Sequence, residues 1–250
     1  MARPRGVHRA PFAEVSASLG LSLQNVYETL EISWPTVLEA LRGSLTKAIC
    51  DQRLESWSRK VVENAGIALE VRGREHLEPH KTYLVMSNHQ SLYDIPVLFQ
   101  VAGPNIRMIT KQELFKVPIF GNALEHGGFI SIDRSNRHAA IRSLEKARAL
   151  LASGTHVWIA PEGTRSRDGQ LLPFKKGAFY LALEARLPIL PVTLVGTRDA
   201  LAAKGLRSHA GARVRVTMHP KIDPAPFAAR GRRGRDELMA HLRDVLGSAL

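Results

Sequence analysis

Short apolar runs alternate with amphipathic stretches from residue 67 to the end of this 250-residue chain. The apolar runs predict β-strands over 67–72, 82–87, 106–110, 129–132, 156–160, 189–195 and 212–219. Apolar residues at helical spacing predict helices over 91–101, 136–152, 175–186 and 235–248. Continuous apolar strands separated by helices are typical of a largely buried, mostly parallel sheet. The pattern therefore predicts an α/β fold in which helices flank a mostly parallel sheet.

The N-terminal part of the chain differs from the rest, because the apolar residues within 12–65 recur at helical rather than strand-like spacing. Pro35 suits the first turn of a helix, and Asp51 suits the cap of the next one. We therefore divide the chain into an N-terminal helical segment over 1–65 and an α/β domain over 66–250. The apolar stripes of the segment fit either packing on the main domain or a foot that lies in a membrane interface.

Two local features modify the strand and helix predictions. Pro188 precedes the run at 189–195 and Pro191 lies near its start, and two prolines three apart favour an edge strand over a central one. The basic, glycine-containing run at 228–235 predicts a linker before the last helix.

Charge is unevenly distributed along the chain. The formal net charge is +12, yet the first 80 residues hold ten basic and ten acidic side chains, so the whole excess lies in residues 81–250. A basic surface suits an anionic partner such as a phosphorylated ligand, an anionic membrane surface or a nucleic acid. The three tryptophans are scattered and form no aromatic platform among the basic residues, which argues against a nucleic-acid partner.

The remaining composition constrains location. A single cysteine, Cys50, excludes an intramolecular disulfide framework and fits a reducing compartment. No apolar run approaches the roughly 20 residues that a transmembrane helix needs, and the charged N-terminus is not a signal-peptide core. We therefore expect a protein on the cytoplasmic face of a membrane, held there peripherally or monotopically.

The strongest chemical signal follows the run at 82–87, where His89 and Asp94 stand five positions apart. If a helix starts near Ser91, Asp94 can reach the imidazole of His89. The carboxylate would then accept one ring N–H and leave the other nitrogen free to take a proton, as a general base does. The alternative interpretation is a helix-capping aspartate beside a structural histidine.

Three more candidates lie where predicted strands end. Lys111 ends the strand near 106–110 and could meet a phosphate as a point charge, and Arg134 follows the strand at 129–132 and could hold a phosphate in bidentate fashion. The loop Glu162-Gly163-Thr164-Arg165 follows the strand at 156–160. Its glycine lets backbone approach a ligand, its carboxylate could accept from a substrate hydroxyl, and its arginine could contact a phosphate. Structural turns and surface ion pairs would produce the same residues.

Together, four blocks in this order resemble the glycerophospholipid acyltransferase family. They are Asn88-His89 with Asp94, the stretch 129–134, the stretch 161–166 and the stretch 187–192, and the likeness runs from about residue 67 to about residue 220. The resemblance implies acyl transfer from acyl-CoA or acyl-carrier protein to a glycerol hydroxyl, with no cofactor and no metal. It implies that His89 is the base and Asp94 its orienting acid. Arg134 and the residues Glu162, Gly163, Thr164 and Arg165 would then bind the acceptor, and Lys111 is our addition to that set.

Within this family the acceptor that we expect is lysophosphatidate (1-acyl-sn-glycerol-3-phosphate), because Arg134 calls for an anionic headgroup. A relative that acylates glycerol-3-phosphate, a lysophospholipid or a lyso-aminolipid remains an alternative. From other classes, a metal-dependent hydrolase would use His89, Asp94 and Glu162 as ligands, and a lipid-binding module without activity would use none of them chemically.

Overall fold

A computed structural model describes residues 17–133 and 137–250, with the backbone alone over 137–141. The strands are β1 (Ala17–Ser18), β2 (Ala68–Arg72), β3 (Leu84–Ser87), β4 (Ile106–Lys111), β5 (Ile130–Ile132), β6 (His156–Ile159), β7 (Ile189–Val195), β8 (Ser208–His209) and β9 (Arg213–Met218). The helices are α1 (Leu19–Leu41), α2 (Lys47–Asn64), α3 (Asp94–Ala102), α4 (Phe120–His126), α5 (Arg137–Ala152), α6 (Lys176–Ala185), α7 (Thr197–Ala200), α8 (Ala225–Ala228) and α9 (Gly231–Gly247). The strands and helices predicted after residue 66 are all present, with ends that shift by a few residues.

The central sheet has seven strands in the order β2-β9-β7-β3-β6-β4-β5. Neighbouring strands from β7 to β5 all pair in parallel, whereas β7 and β9 pair antiparallel. The predicted α/β fold with a mostly parallel sheet is therefore confirmed. The parallel arrangement matters for function, since it brings the carboxyl ends of β3, β4, β6 and β7 to one edge of the sheet.

Helices cover both faces of this sheet. Side chains from α2 and α3 pack against one face, and side chains from α5, α6 and α9 pack against the other. The four residues of β3 and the four of β6 are buried, as the continuous apolar runs predicted. Burial on both faces leaves the strand ends and their loops as the accessible part of the sheet.

The expectation that the strand with two prolines at its start lies at an edge is wrong, because β7 is bonded to both β3 and β9. Pro191 is tolerated there because it stands before the start of the β7–β9 register at Val192, and its carbonyl accepts from His219 N at 2.9 Å. A position at the start of a pairing needs no proline N–H. The predicted linker over 228–235 is also wrong, since α8 and the start of α9 occupy most of it.

The N-terminal helices begin at other residues than the sequence indicated. Pro35 lies inside α1, which starts sixteen residues earlier at a Ser18 cap whose Oγ accepts from Leu21 N at 3.1 Å. Thr46, not Asp51, caps α2 by accepting from Ile49 N at 3.3 Å. Asp51 instead pairs with the buried Arg107 of β4, with Oδ1 2.7 Å from Nη2. Among the residues that the structure describes, no helix is long and apolar enough to cross a membrane.

Candidate active site

The loops after β3 and β6 meet at the carboxyl edge of the sheet, where these two strands are neighbours. His89 follows β3, and Glu162 follows β6. Lys111 ends β4, the next strand beyond β6. The structure thus places three of the sequence-predicted residues at consecutive strand ends of one edge, as parallel pairing requires.

His89 and Asp94 form a hydrogen-bonded pair. The distance from His89 Nδ1 to Asp94 Oδ2 is 2.7 Å, and the aspartate is fully buried at the first turn of α3. A carboxylate in this position accepts a hydrogen bond from Nδ1–H and so leaves the other nitrogen, Nε2, as the basic atom. The side chain of His89 is 16% exposed, which leaves the ring reachable from solvent.

Asp94 is fixed by its own backbone neighbours. Its Oδ2 also accepts from Gln90 N at 2.7 Å and from Ser91 N at 3.0 Å. These bonds hold the carboxylate over the turn that separates β3 from α3, and they explain why a five-residue spacing returns Asp94 to His89. Asp94 is therefore more than a helix cap, because its Oδ2 accepts hydrogen bonds from the imidazole as well as from two backbone amides.

Packing below the imidazole restricts its orientation. Trp158 of β6 meets the His89 ring edge-on, with centroids 5.4 Å apart and planes at 84°. Its Nε1 donates to Ser87 Oγ at 2.8 Å, so the indole is itself held. Asn88, the residue before His89, is tied to β7, since its amide exchanges two bonds with the backbone of Leu194, at 2.8 and 2.7 Å. The histidine therefore stands on a rigid platform made of three adjacent strands.

Glu162 bonds the backbone and does not point into open solvent. Its Oε1 accepts from His89 N at 2.9 Å, and its Oε2 accepts from Leu172 N at 2.8 Å, while the residue is 1% exposed. Burial raises the pKa of the Glu162 carboxyl, and the two backbone N–H donors partly offset that effect. The carboxylate thus clamps the histidine backbone to the segment that leads into α6.

The rest of the β6 loop folds back along His89. Ser166 N donates to the carbonyl of His89 at 2.8 Å, and Gly163 makes the turn with φ of +70°. That φ lies in the left-handed region, where glycine is the residue without strain. Thr164 at the turn is exposed, and Gly163 N donates to Ala160 O at 3.0 Å.

The side chain of Arg165 is half-buried beside the His89–Asp94 pair. Partial burial lowers the pKa of its guanidinium, and the charge of Asp94 opposes that effect. Within the described ranges, no carboxylate forms an ion pair with Arg165. A partly desolvated, unpaired guanidinium next to the base is suited to an anionic substrate group. Lys111 is exposed at the end of β4.

Arg134 lies outside the described residues. Among those that the structure does describe, no group of three or more His, Cys, Asp or Glu side chains is arranged to hold a metal ion. The three ligands that a hydrolase would need are instead bonded to one another or to backbone, since His89 contacts Asp94 and both oxygens of Glu162 accept from amides.

Two residues that support the site were missed by sequence reasoning. Arg198 at the start of α7 donates through Nη1 to the carbonyl of Asp168, and Gln90 donates through Nε2 to Gly169 O at 3.3 Å. Both contacts hold the loop after Ser166 against the histidine segment. Arg198 follows a strand end, as Lys111 does, and that position was its only sequence signal.

Comparisons with known proteins point to one family. The sequence profile of a family described as Acyltransferase matches residues 68–195. The chain is 39% identical over 158 residues to 1-acyl-sn-glycerol-3-phosphate acyltransferase alpha of Mus musculus, an alignment that covers 63% of this chain and 55% of that protein. It is 36% identical over 156 residues to 1-acyl-sn-glycerol-3-phosphate acyltransferase BAT2, chloroplastic, of Brassica napus, covering 61% and 44%. The chain therefore spans about half the length of the curated relatives that it matches.

A solved structure shares the fold. The crystal structure of the 1-acyl-sn-glycerophosphate (LPA) acyltransferase PlsC from Thermotoga maritima superposes with a TM-score of 0.70 at 24% identity. The match covers 92% of this chain and 95% of that one. The likeness therefore includes most of the N-terminal helices as well as the sheet.

Proposed function

Because the chain belongs to the acyltransferase family, we propose that it transfers a fatty acyl group from a thioester donor to the sn-2 hydroxyl of lysophosphatidate, giving phosphatidate. The observation that carries the proposal is the 2.7 Å contact between His89 Nδ1 and Asp94 Oδ2 at the accessible edge of the sheet. The curated relatives are named for 1-acyl-sn-glycerol-3-phosphate, which supports that acceptor. Acyl-CoA and acyl-carrier protein are both suitable donors.

His89 is the general base of this reaction. With Nδ1 bonded to Asp94, Nε2 takes the proton of the sn-2 hydroxyl while its oxygen attacks the thioester carbonyl. The tetrahedral intermediate then expels the thiolate, which receives the proton from Nε2 and leaves as the free thiol. Atoms and charge balance without an acyl-enzyme, so no serine nucleophile is needed.

Arg165 binds the phosphate of the acceptor. Its half-buried guanidinium has no carboxylate partner in the described part of the chain, and a planar fork of donors matches two phosphate oxygens. Lys111 adds a second positive charge from the neighbouring strand end, and Thr164 adds a hydroxyl. Arg134 completes the set that the sequence indicates.

Glu162 has a different role from the one that its motif suggested. Both of its oxygens are already bonded to backbone amides, so its contribution is to position His89 and not to bind the acceptor hydroxyl. Gly163 permits the turn that brings Arg165 back beside the base.

The outer face of α1 supports membrane binding by the N-terminal segment. Large apolar side chains that share this face are exposed, namely Leu19, Leu23, Val26, Tyr27, Leu30 and Trp34. Polar side chains point the other way: Thr29 Oγ1 accepts from Trp57 Nε1 at 3.1 Å, and Thr36 Oγ1 accepts from Arg53 Nη1 at 3.1 Å. A helix with apolar residues outward and polar residues inward fits a lipid surface better than water.

The loop before β8 adds positive charge to the same side. Leu206 is 82% exposed between Lys204 and Arg207, and Ser208 N donates to Ser22 Oγ of α1 at 2.8 Å. A hydrophobic tip flanked by cations beside the start of α1 matches an anionic membrane surface. The enzyme thus acts at the cytoplasmic face of a membrane, where the acyl chain of its acceptor is inserted.

The reaction can be tested with purified protein, lysophosphatidate in vesicles and either acyl-CoA or acylated carrier protein, following thiol release and phosphatidate together. We expect stoichiometric thiol and phosphatidate. Arg165→Met should abolish the preference for lysophosphatidate over uncharged monoacylglycerol, whereas Arg167→Met, which removes an exposed guanidinium two residues on, should preserve it. Thiol release without phosphatidate, or equal turnover of other lyso-lipids by the unmodified protein, would contradict the proposed acceptor.

A further inference from the structure

The segment from His89 to Asp94, here called the catalytic turn, is anchored to its surroundings residue by residue. His89 is bonded to Glu162, and Gln90 is bonded to Gly169. Ser91 Oγ donates to the carbonyl of Leu201 at 2.7 Å. These anchors come from loops of the α/β domain itself.

A further anchor comes from the N-terminal segment. Asn25 Nδ2 of α1 lies 2.6 Å from Tyr93 Oη, and Tyr93 directly precedes Asp94. The tyrosine is 3% exposed, and its N–H donates to Ser91 Oγ at 3.2 Å. Its hydroxyl therefore connects the N-terminal third of α1 to the residue next to the carboxylate that orients His89.

Within residues 17–133 and 137–250, Tyr93 is the one hydrogen-bond partner of the Asn25 amide. Its Oδ1 is buried and has no partner among the described residues. A buried amide oxygen without a partner costs free energy. The hydrogen bond from Nδ2 to Tyr93 offsets part of that cost of burying the Asn25 side chain. Asn25 also lies on the inward face of α1, opposite Leu23, Val26 and Tyr27, whose side chains are exposed.

We propose that Asn25 is a positioning residue for the reaction: through its hydrogen bond to Tyr93 it fixes the position of the catalytic turn. A change in the position of α1 on a lipid surface therefore alters the His89–Asp94 contact. This dependence on lipid rests on the proposed function. A shift of α1 by a fraction of an ångström changes a 2.6 Å bond before it changes the anchors to Glu162, Gly169 and Leu201, because only Asn25 belongs to α1.

The effect should be moderate, since a single hydrogen bond contributes about 0.5–1.5 kcal/mol and 1.36 kcal/mol is a factor of ten. Tyr93→Phe keeps the buried ring and removes only the hydroxyl, and Asn25→Ala removes only the amide. We expect each variant to lower kcat on vesicle-borne lysophosphatidate by about threefold to tenfold, with KM and vesicle binding within twofold of the unmodified protein. The double variant should lose no more than either single one, because both remove the same bond.

A matched control lies three turns along the same helix face. Thr36→Val removes a hydroxyl that accepts from Arg53 on α2 and donates to the carbonyl of Ile32, so it breaks an inward bond of α1 that involves neither Asn25 nor the catalytic turn. It should leave kcat unchanged even if it lowers thermal stability. Equal loss of kcat in Thr36→Val, unchanged kcat in both Tyr93→Phe and Asn25→Ala, or multiplying losses in the double variant would overturn the proposal.

A second readout does not depend on turnover. The proton shared by His89 Nδ1 and Asp94 can be followed by nitrogen-edited NMR of imidazole-labelled protein, with and without anionic bicelles. Its exchange with water should be faster in Tyr93→Phe and Asn25→Ala, and bicelles should slow it in the unmodified protein but not in the variants. Identical exchange in all three proteins would contradict the positioning role, whereas altered exchange in a protein that forms no phosphatidate would contradict the proposed function instead.

Discussion

Helices α1 and α9 carry large apolar residues at the same spacing and turn them in opposite directions. Leu238, Leu242 and Leu246 of α9 are completely buried against the sheet. In α1, Leu23 is 61% exposed and Tyr27 64% exposed. Three arginines of α9, Arg232, Arg233 and Arg243, face water. In α1, by contrast, the hydroxyls of Thr29 and Thr36 face the protein and bond side chains of α2. The comparison teaches that helical periodicity identifies an apolar stripe but not the surface that covers it.

The two helices therefore owe their stability to different surroundings. The leucines of α9 contribute through burial on folding, at roughly 1.5–3 kcal/mol for a fully buried side chain. The outward residues of α1 contribute nothing of that kind in water and can contribute only when a lipid surface covers them. Three experiments separate these situations.

The largest difference should appear in the free energy of unfolding. Leu242→Ala removes a fully buried side chain and should cost about 2–5 kcal/mol, because it leaves a cavity between α9 and the sheet. Leu23→Ala removes an exposed side chain and should change stability by no more than about 0.5 kcal/mol. Urea denaturation of both variants measures the difference, and equal costs would mean that α1 is covered by protein.

Binding to membranes should depend on the exposed apolar residues of α1 and not on those of α9. Leu23→Ser should weaken binding to anionic vesicles by about tenfold, since it removes one apolar side chain from the proposed lipid contact. Ala240→Ser, at an exposed position of α9, should leave binding unchanged. Sedimentation with vesicles at constant salt measures both, and undiminished binding of Leu23→Ser would rule out this face as the contact.

The smallest effect concerns pH and the end of α9. His219 is buried with Nε2 2.9 Å from Thr193 Oγ1, which donates to the carbonyl of Leu246 at 2.9 Å. Burial lowers the pKa of His219, with a smaller contribution from His76. Because the unfolded chain then binds the proton more readily, stability should be complete above about pH 6.5 and fall as the pH drops towards the folded-state pKa.

His219→Gln should reduce this acid sensitivity in urea titrations at pH 7.5, 6.5 and 5.5. The buried Glu162, whose pKa is raised, acts in the opposite sense, with stability lost as pH rises from its unfolded to its folded pKa. The contribution of Glu162 is the same in the unmodified protein and in His219→Gln, so it cancels when their free energies of unfolding are subtracted. An unchanged pH slope in His219→Gln would contradict the prediction.

Much of the sheet could be read from the sequence, because continuous apolar runs such as 84–87 and 156–159 are buried on both faces. The failures have physical causes. Two prolines three apart predict an edge strand, yet the missing N–H of Pro191 falls just before the β7–β9 register begins. Pro35 predicts a helix start because proline is common in the first turn of a helix, yet α1 begins at Leu19 and continues through it.

The site was predictable to the extent that its chemistry lies in local spacing. His89 and Asp94 stand five positions apart and meet, because two backbone amides draw the carboxylate over the turn. Glu162 was identified, but its use as a backbone clamp depends on Leu172, ten residues on. The contact of Asn25 with Tyr93 spans 68 positions and has no local signal.

The central claim is that His89 removes the proton from the acceptor hydroxyl. The most direct test is single-turnover phosphatidate formation by His89→Ala, with saturating lysophosphatidate and acyl thioester and with folding checked by circular dichroism. We predict a loss of roughly 10²–10⁴-fold, the usual contribution of a general base, with vesicle binding intact. A rate within about tenfold of the unmodified protein would contradict the claim, since such a loss is smaller than removal of a positioned base produces.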